Sequence, residues 1–112
     1  MKKTISTILK LYQEYKKISM VTSYDYSTAK AAQEANIDMI LVGDSLGMVM
    51  LGHENTINVT INEMELFTKA VSKGANESFI VADMPFLSCG VSVSETVKNA
   101  GILIKAGAQA VK

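Results

Sequence analysis

Apolar residues recur at intervals of three or four along the first part of the chain, which is the period of one face of an α-helix. The positions that share this face are Ile5, Ile8, Leu9, Tyr12 and Tyr15. Thr4 precedes them as a candidate N-cap, and the pattern predicts a helix over residues 4–16. An alanine-rich stretch predicts a second helix, which begins after Asp25 or Ser27. This helix is expected to end near Asn36, because asparagine tolerates a left-handed backbone.

The spacing of a capping box, in which a Ser or Thr is followed three residues later by a Glu, predicts two further helices. The two pairs are Thr60 with Glu63 and Ser92 with Glu95. Periodic apolar positions follow each pair, and Gly74 and Gly107 then predict where the two helices end.

Short, continuous apolar runs separate these helices and predict buried strands. They lie at residues 19–23, 38–42 and 79–82, and a fourth begins at residue 110. Strands that alternate with helices predict a parallel sheet with right-handed crossovers. The connection 43–59 is long for a compact domain, which predicts that it is functional or contains a short helix.

The chain is therefore expected to be one α/β domain over residues 1–112, with about three and a half β/α units after an N-terminal helix. No linker, repeat or low-complexity segment divides it. The last strand has no partner element after it, so a long sheet edge is expected to be exposed. This pattern predicts that residues 1–112 form the front part of a larger barrel and are an incomplete barrel by themselves.

Composition and charge exclude several classes of function. Hydrophobic residues make up 48% and charged residues 20% of the 112, as in a soluble globular protein. The net charge is zero, which predicts no nucleic-acid partner, and no apolar stretch approaches the ~18 residues of a membrane span. Cys89 is the single cysteine, so the reducing cytoplasm is the expected compartment. All eleven basic residues are lysines, which excludes an arginine clamp.

Charged side chains stand at the ends of three predicted strands. Asp44 follows the second strand, Asp83 the third, and Lys112 the fourth. Parallel strands lie about 4.8 Å apart and place their chemistry beyond their carboxyl ends, so these side chains are expected to converge. Two carboxylates suit Mg²⁺, and a nearby lysine can hold a substrate carboxylate.

Structural roles compete with this interpretation at each position. An acid directly after a strand is often the N-cap of the next helix, although two acids in equivalent places favour a shared site. Ser45 is equally suited to binding a ligand or capping the turn. His53 in a polar loop and Cys89 without a second cysteine are more often structural residues. The pair of glycines at 43 and 47 fits neither a dinucleotide-binding nor a P-loop pattern.

Several motifs occur in an order that resembles the ketopantoate hydroxymethyltransferase family. They are Thr22-Ser23-Tyr24-Asp25-Tyr26, Val42-Gly43-Asp44-Ser45-Leu46-Gly47-Met48, Gly52-His53, Val59-Thr60, Lys69-Ala70-Val71 with Gly74-Ala75, and Ala82-Asp83-Met84-Pro85-Phe86. The resemblance extends from about residue 4 to residue 112. The second and last motifs are its most specific parts.

This resemblance implies a (β/α)8 TIM barrel of the phosphoenolpyruvate mutase and isocitrate lyase type, assembled as a decamer. It implies transfer of a hydroxymethyl group from 5,10-methylenetetrahydrofolate to 3-methyl-2-oxobutanoate, with Mg²⁺ as cofactor. By resemblance, Asp44 and Asp83 are the metal ligands, and the ketoacid contacts these two residues together with Ser45 and Lys112. The family's general base and a further metal-binding Glu are expected beyond Lys112, so residues 1–112 alone are expected to be inactive.

Two other classes of protein remain open at this point. A phospho-accepting receiver domain has a similar length and Mg²⁺-binding acids, but it needs an acidic pair after its first strand and five strands in all. A non-catalytic interaction fragment would use its exposed sheet edge to associate with other chains.

Overall fold

The computed structural model describes all 112 residues. Four strands form the sheet: β1 (Met20–Thr22), β2 (Met39–Val42), β3 (Phe79–Ala82) and β4 (Ala110–Val111). Five helices surround it: α1 (Ile5–Gln13), α2 (Tyr26–Glu34), α3 (Leu46–Val49), α4 (Ile61–Gly74) and α5 (Val93–Ala106). None of these helices has the length and apolar character that a membrane span requires.

All strand pairs are parallel, and their order in the sheet is β1-β2-β3-β4. Neighbouring strands are therefore also consecutive in sequence, as in a (β/α)8 barrel. A doubly wound receiver reverses its strand order, with the first strand inside the sheet. Here β1 lies at the edge, so the receiver alternative is wrong and the predicted barrel-type α/β fold is confirmed.

The helices begin where the sequence predicts, through side-chain capping. Asp25 caps α2, because its Oδ1 accepts a hydrogen bond from the backbone N–H of Thr28 at 2.8 Å. Thr60 and Glu63 exchange reciprocal hydrogen bonds at the start of α4, which is a complete capping box. At α5 only half of the predicted box forms: the backbone N–H of Glu95 donates to Ser92, and no reverse bond is made.

One predicted helix end needs correction, and a second is confirmed but has another cause. Helix α1 ends at Gln13, before the predicted residue 16, because the backbone turns into the left-handed region at Tyr15 (φ 56°). Gly74 is the last residue of α4 and is not a left-handed stop. A Cβ at Gly74 would collide with the carbonyl oxygen of Tyr26, so this glycine allows α2 and α4 to approach closely. Gly107, in contrast, has φ 123° and does end α5.

Apolar side chains cover both faces of the central strand β3. On one face, Ile80 and Ala82 join the main core beneath α2, α4 and α5. On the other face, Phe79 and Val81 pack with Ile8 of α1. All four residues of β3 are buried. The two faces of β3 thus alternate along the strand, as a sheet with two covered faces requires.

The segment before α1 is attached to the amino ends of the strands. The backbone N–H of Lys3 donates to the carbonyl of Glu77, and its carbonyl accepts from Gln109 Nε2 at 2.6 Å. The Lys3 ammonium lies 3.0 Å from the carboxylate of Asp38. Helix α1 is therefore anchored at one end of the sheet, and the carboxyl ends of the strands lie at the opposite end.

Candidate functional site

The predicted convergence of Asp44 and Asp83 is observed at the carboxyl ends of β2 and β3. The backbone N–H of Asp83 donates to the carbonyl of Val42 at 3.0 Å, which continues the strand pairing into the site. The backbone N–H of Asp44 in turn donates to Asp83 Oδ2 at 2.9 Å. Because the Asp83 carboxylate is held by a neighbouring backbone, its orientation is set by the sheet itself.

Lys112 reaches the same site from the end of β4. Its backbone is held on both sides, since its N–H donates to Ala82 O and its carbonyl accepts from the N–H of Met84. Its Nζ lies 3.2 Å from Asp83 Oδ1. The Lys112 side chain is 68% exposed and the Asp83 side chain only 11%. The backbone of Lys112 is therefore held by strand pairing, and its largely exposed side chain brings the ammonium group beside a buried carboxylate.

The surroundings of the Asp44 carboxyl disfavour its negative charge. Burial, followed by the negative charge of Asp83, raises the pKa of the Asp44 carboxyl above its ordinary value, and Lys112 opposes this shift. No cluster of three or more His, Cys, Asp or Glu side chains suited to a metal forms in residues 1–112. Two carboxylates nevertheless match Mg²⁺, which uses one or two protein carboxylates together with water and ligand oxygens.

Gly43 is closely surrounded on the side where any other residue would carry a Cβ. A Cβ at this position would lie 3.2 Å from Ser45 Oγ, 3.6 Å from Thr22 Cγ2 and 3.7 Å from Asp83 Oδ2. The glycine therefore allows Ser45, Thr22 and Asp83 to lie close together at the carboxyl ends of the strands.

Neither acid serves as a helix cap, so the capping interpretation is wrong for both. The N-cap positions of α3 and α5 are occupied by Ser45 and Ser92. Ser45 itself makes no capping hydrogen bond with its side chain. Its hydroxyl instead lies 2.8 Å from the hydroxyl of Tyr24.

The other candidates from the sequence do not join this group. His53 is fixed through its backbone, whose N–H donates to Gly47 O at 2.8 Å, and its ring makes no hydrogen bond. Cys89 is a free, exposed thiol in the loop before α5. Asp25 is the helix cap that the sequence predicts.

Sequence reasoning missed Tyr24, whose hydroxyl lies beside that of Ser45. Its ring packs against the main core. The signal was nevertheless present, because Tyr24 follows β1 as Asp44 follows β2. Applying the same rule about strand ends to the first strand would have included it.

A model of the family described as ketopantoate hydroxymethyltransferase matches residues 2–112. The chain belongs to the ketopantoate hydroxymethyltransferase family. Relatives named 3-methyl-2-oxobutanoate hydroxymethyltransferase agree with this placement. The one from Caldicellulosiruptor bescii is 53% identical over 111 residues, which is 99% of this chain and 42% of that relative. The one from Clostridioides difficile is 57% identical over 113 residues, which is all of this chain and 41% of the relative.

Residues 1–112 thus span about 40% of the length of these ketopantoate hydroxymethyltransferase relatives. Solved structures show the same fold. Phosphonopyruvate hydrolase in complex with oxalate and Mg²⁺ matches with a TM-score of 0.78 at 14% identity, over 97% of this chain and 38% of that one. A 2,3-dimethylmalate lyase, a member of the PEP mutase/isocitrate lyase superfamily, matches with a TM-score of 0.72 at 16% identity, over 99% of this chain and 38% of its own. The four-stranded parallel sheet therefore has the fold of a partial TIM barrel.

Proposed function

We propose that this chain carries the ketoacid- and Mg²⁺-binding part of an enzyme that makes 2-dehydropantoate. The reaction transfers a hydroxymethyl group from 5,10-methylenetetrahydrofolate to 3-methyl-2-oxobutanoate. The observation that carries the proposal is the convergence of Asp44, Asp83 and Lys112 at one end of the sheet, in a chain of this family.

Asp44 and Asp83 are the residues that would hold the metal. The raised pKa of Asp44 records the cost of placing two partly buried carboxylates together, and a divalent cation relieves this cost. When bound, Mg²⁺ supplies positive charge near the keto oxygen, which makes removal of the C3 proton easier. The backbone N–H of Asp44 keeps Asp83 oriented, so this acid needs little reorganisation on binding.

Lys112 and Ser45 would bind the ketoacid. The Lys112 ammonium neutralises Asp83 Oδ1 in the present arrangement, and its exposed side chain can turn toward a substrate carboxylate once a cation occupies the acids. Ser45 follows Asp44 directly, its hydroxyl makes no capping bond, and it can donate to a substrate oxygen.

The remaining parts of the proposal concern the general base, the assembly and the location of the protein. We assign the general base, a Glu by family resemblance, to a position beyond Lys112. The homo-oligomer, a decamer by the same resemblance, and the cytoplasmic location also belong to this proposal. The general property that all strands of a TIM barrel have their carboxyl ends at one face supports the assignment of the base to this site.

Binding of 3-methyl-2-oxobutanoate to the purified protein tests the proposal. Titration calorimetry should detect binding with Mg²⁺ and little binding with EDTA. Asp83→Asn keeps the shape of the side chain and should weaken Mg²⁺-dependent binding at least about tenfold, because a carboxylate ligand is lost. Glu34→Gln is the matched control, since Glu34 is an exposed acid on α2, and it should leave binding unchanged. Equal binding in the presence and absence of Mg²⁺, or an unaffected Asp83→Asn protein, would contradict the proposal.

A further inference from the structure

Tyr24 links the end of β1 to the site through one hydrogen bond. Its ring packs against the main core, while its hydroxyl lies 2.8 Å from Ser45 Oγ. The neighbouring hydroxyl of Ser23 does not compete for this contact, because it pairs with Thr28 Oγ1 at 2.6 Å. Packing against the core thus holds the tyrosine ring in place, and its hydroxyl has Ser45 Oγ as its single hydrogen-bond partner.

The relative acidity of the two hydroxyl groups decides which of them donates this hydrogen bond. A phenol has an ordinary pKa of about 10, far below that of an aliphatic alcohol, so it is the better donor of the two. Tyr24 therefore donates and Ser45 Oγ accepts. Ser45 makes no capping bond, so its own proton remains available for another acceptor. A hydroxyl that accepts one hydrogen bond also becomes a stronger donor in the next.

We propose that Tyr24 is a positioning residue that acts through Ser45. By donating to Ser45 Oγ, it directs the serine proton toward an oxygen of the ketoacid bound beside Asp44. Without the tyrosine hydroxyl, the serine rotates among several orientations, and its hydrogen bond to the ligand is weaker. This inference rests on the proposed function, because it requires that the ketoacid binds next to Ser45 and Asp44.

Tyr24→Phe removes only the hydroxyl and keeps the ring that packs on the core. The dissociation constant of 3-methyl-2-oxobutanoate, measured by calorimetry with saturating Mg²⁺, should rise about three- to tenfold. Tyr26→Phe is the matched control, because Tyr26 is 50% exposed and its hydroxyl makes no hydrogen bond. It should bind the ketoacid as the unchanged protein does.

A double-mutant cycle separates positioning through Ser45 from an independent effect. Ser45→Ala should weaken binding, and adding Tyr24→Phe to it should cause no further loss, since the partner is already absent. A spectroscopic measurement without ligand gives a second test. The near-ultraviolet absorption of Tyr24, obtained as the difference from Tyr24→Phe, should shift when Ser45 becomes alanine.

The outcomes distinguish this inference from the proposed function. If the unchanged protein does not bind the ketoacid, the proposed function fails, and the inference fails with it. If that protein binds but Tyr24→Phe binds equally well, only the inference is overturned. Additive losses of binding affinity in the double mutant would overturn the inference as well. So would a Tyr24 absorption that does not change in Ser45→Ala. Circular dichroism establishes that each variant is folded before its binding is compared.

Discussion

The two oxygens of Asp83 have different kinds of partner. Oδ2 accepts from the backbone N–H of Asp44, which is fixed by the strand pairing beneath it. Oδ1 faces the ammonium of Lys112, at the tip of a largely exposed side chain. One oxygen therefore sets the orientation of the carboxylate, and the other is paired with a group that a cation can displace. This division explains how a buried acid stays in place without a fixed positive partner.

Thr68 on α4 is the one residue whose buried side-chain polar atom lacks a partner. It is fully buried, and its Oγ1 makes no hydrogen bond. Thr68→Val replaces the hydroxyl by a methyl group of similar shape, so the desolvation cost of the hydroxyl disappears. We expect the free energy of unfolding to rise by about 1 kcal/mol and the melting temperature by about 4–8 °C. Urea unfolding followed by circular dichroism measures the free energy, and thermal unfolding measures the melting temperature.

Thr68→Ser is the control for this prediction, because it keeps the hydroxyl and removes the methyl group. It should be less stable than the unchanged protein, since it loses buried apolar area. A Thr68→Val protein that is also less stable would show that the hydroxyl has a partner in solution.

At the scale of elements, Asp38 joins the three segments that meet at the amino ends of the strands. Its Oδ2 accepts from the backbone N–H and the hydroxyl of Ser19, just before β1. Its Oδ1 pairs with Lys3, just before α1. Burial alone raises the pKa of Asp38, but the hydrogen bonds from Ser19 and the charge of Lys3 outweigh it and hold this pKa below its ordinary value.

Because its pKa is lowered in the folded state, the ionised Asp38 stabilises the fold, and this stabilisation is lost in acid. The contribution is complete above the ordinary pKa of an aspartate, about 3.9, and is lost as the pH falls through the lower folded value. Asp38→Asn should therefore cost about 1–2 kcal/mol at pH 7, with a difference from the unchanged protein that shrinks as the pH falls below about 4. Thermal unfolding from pH 7 to pH 3 measures this. A difference that stays constant across that range would refute the assignment.

Gly74 and Gly101 are both helical glycines, yet opposite effects of alanine are expected. A Cβ at Gly74 would meet the backbone carbonyl of Tyr26, whereas a Cβ at Gly101 would meet nothing within 4 Å. Gly74→Ala must push α2 away from α4 and should cost about 1–3 kcal/mol. Gly101→Ala lies in the exposed middle of α5 and should stabilise by about 0.5–1 kcal/mol, through helix propensity.

The two glycine variants control for each other, because the chemical change is identical. Chemical denaturation with the same denaturant measures both. Two shifts of the same sign would mean that helix packing does not decide the effect at Gly74.

At the scale of the whole molecule, the two ends of the sheet carry different kinds of contact. The amino ends carry the network of Asp38, Lys3 and Ser19 together with helix α1, and these contacts hold elements together. The carboxyl ends carry Asp44 and Asp83, where the charges are less completely compensated. In barrel folds in general, the carboxyl ends of the strands hold the active site and the amino ends contribute to stability.

The sheet also has an open edge at β1. All three residues of β1 are exposed, and Met20 and Val21 present apolar side chains there. A polypeptide of residues 1–112 should therefore associate with itself as its concentration rises, because unpaired strand edges pair with other chains. Sedimentation velocity over a dilution series measures this association.

Val21→Lys should reduce that association, since a charge at a strand edge opposes pairing. Val97→Lys is the matched control, because Val97 is 66% exposed on α5, away from the sheet edge. Equal reduction by both variants would attribute the association to overall hydrophobicity and not to the edge.

Local sequence determined the elements and most of their boundaries. Strand β3 was predicted residue for residue, because an apolar run bounded by polar residues has few alternatives. The caps at Asp25 and Thr60 were also predicted, since a cap depends on side chains only three residues away. Asp44, Asp83 and Lys112 were placed together by the same local reasoning, because the end of a parallel strand defines a place in space.

Only the tertiary structure decided what these residues touch. Tyr24 and Ser45 are 21 residues apart, and no local pattern pairs their hydroxyls. Helix α4 ends at Gly74 as predicted, but the sequence does not show that this glycine is also constrained by the carbonyl of Tyr26 in another helix. Likewise, the sequence places Asp83 at the end of a strand, but the backbone of Asp44 that orients it is 39 residues away. Periodicity and capping are properties of neighbours along the chain, whereas hydrogen bonds and close approaches in the site depend on how distant elements pack.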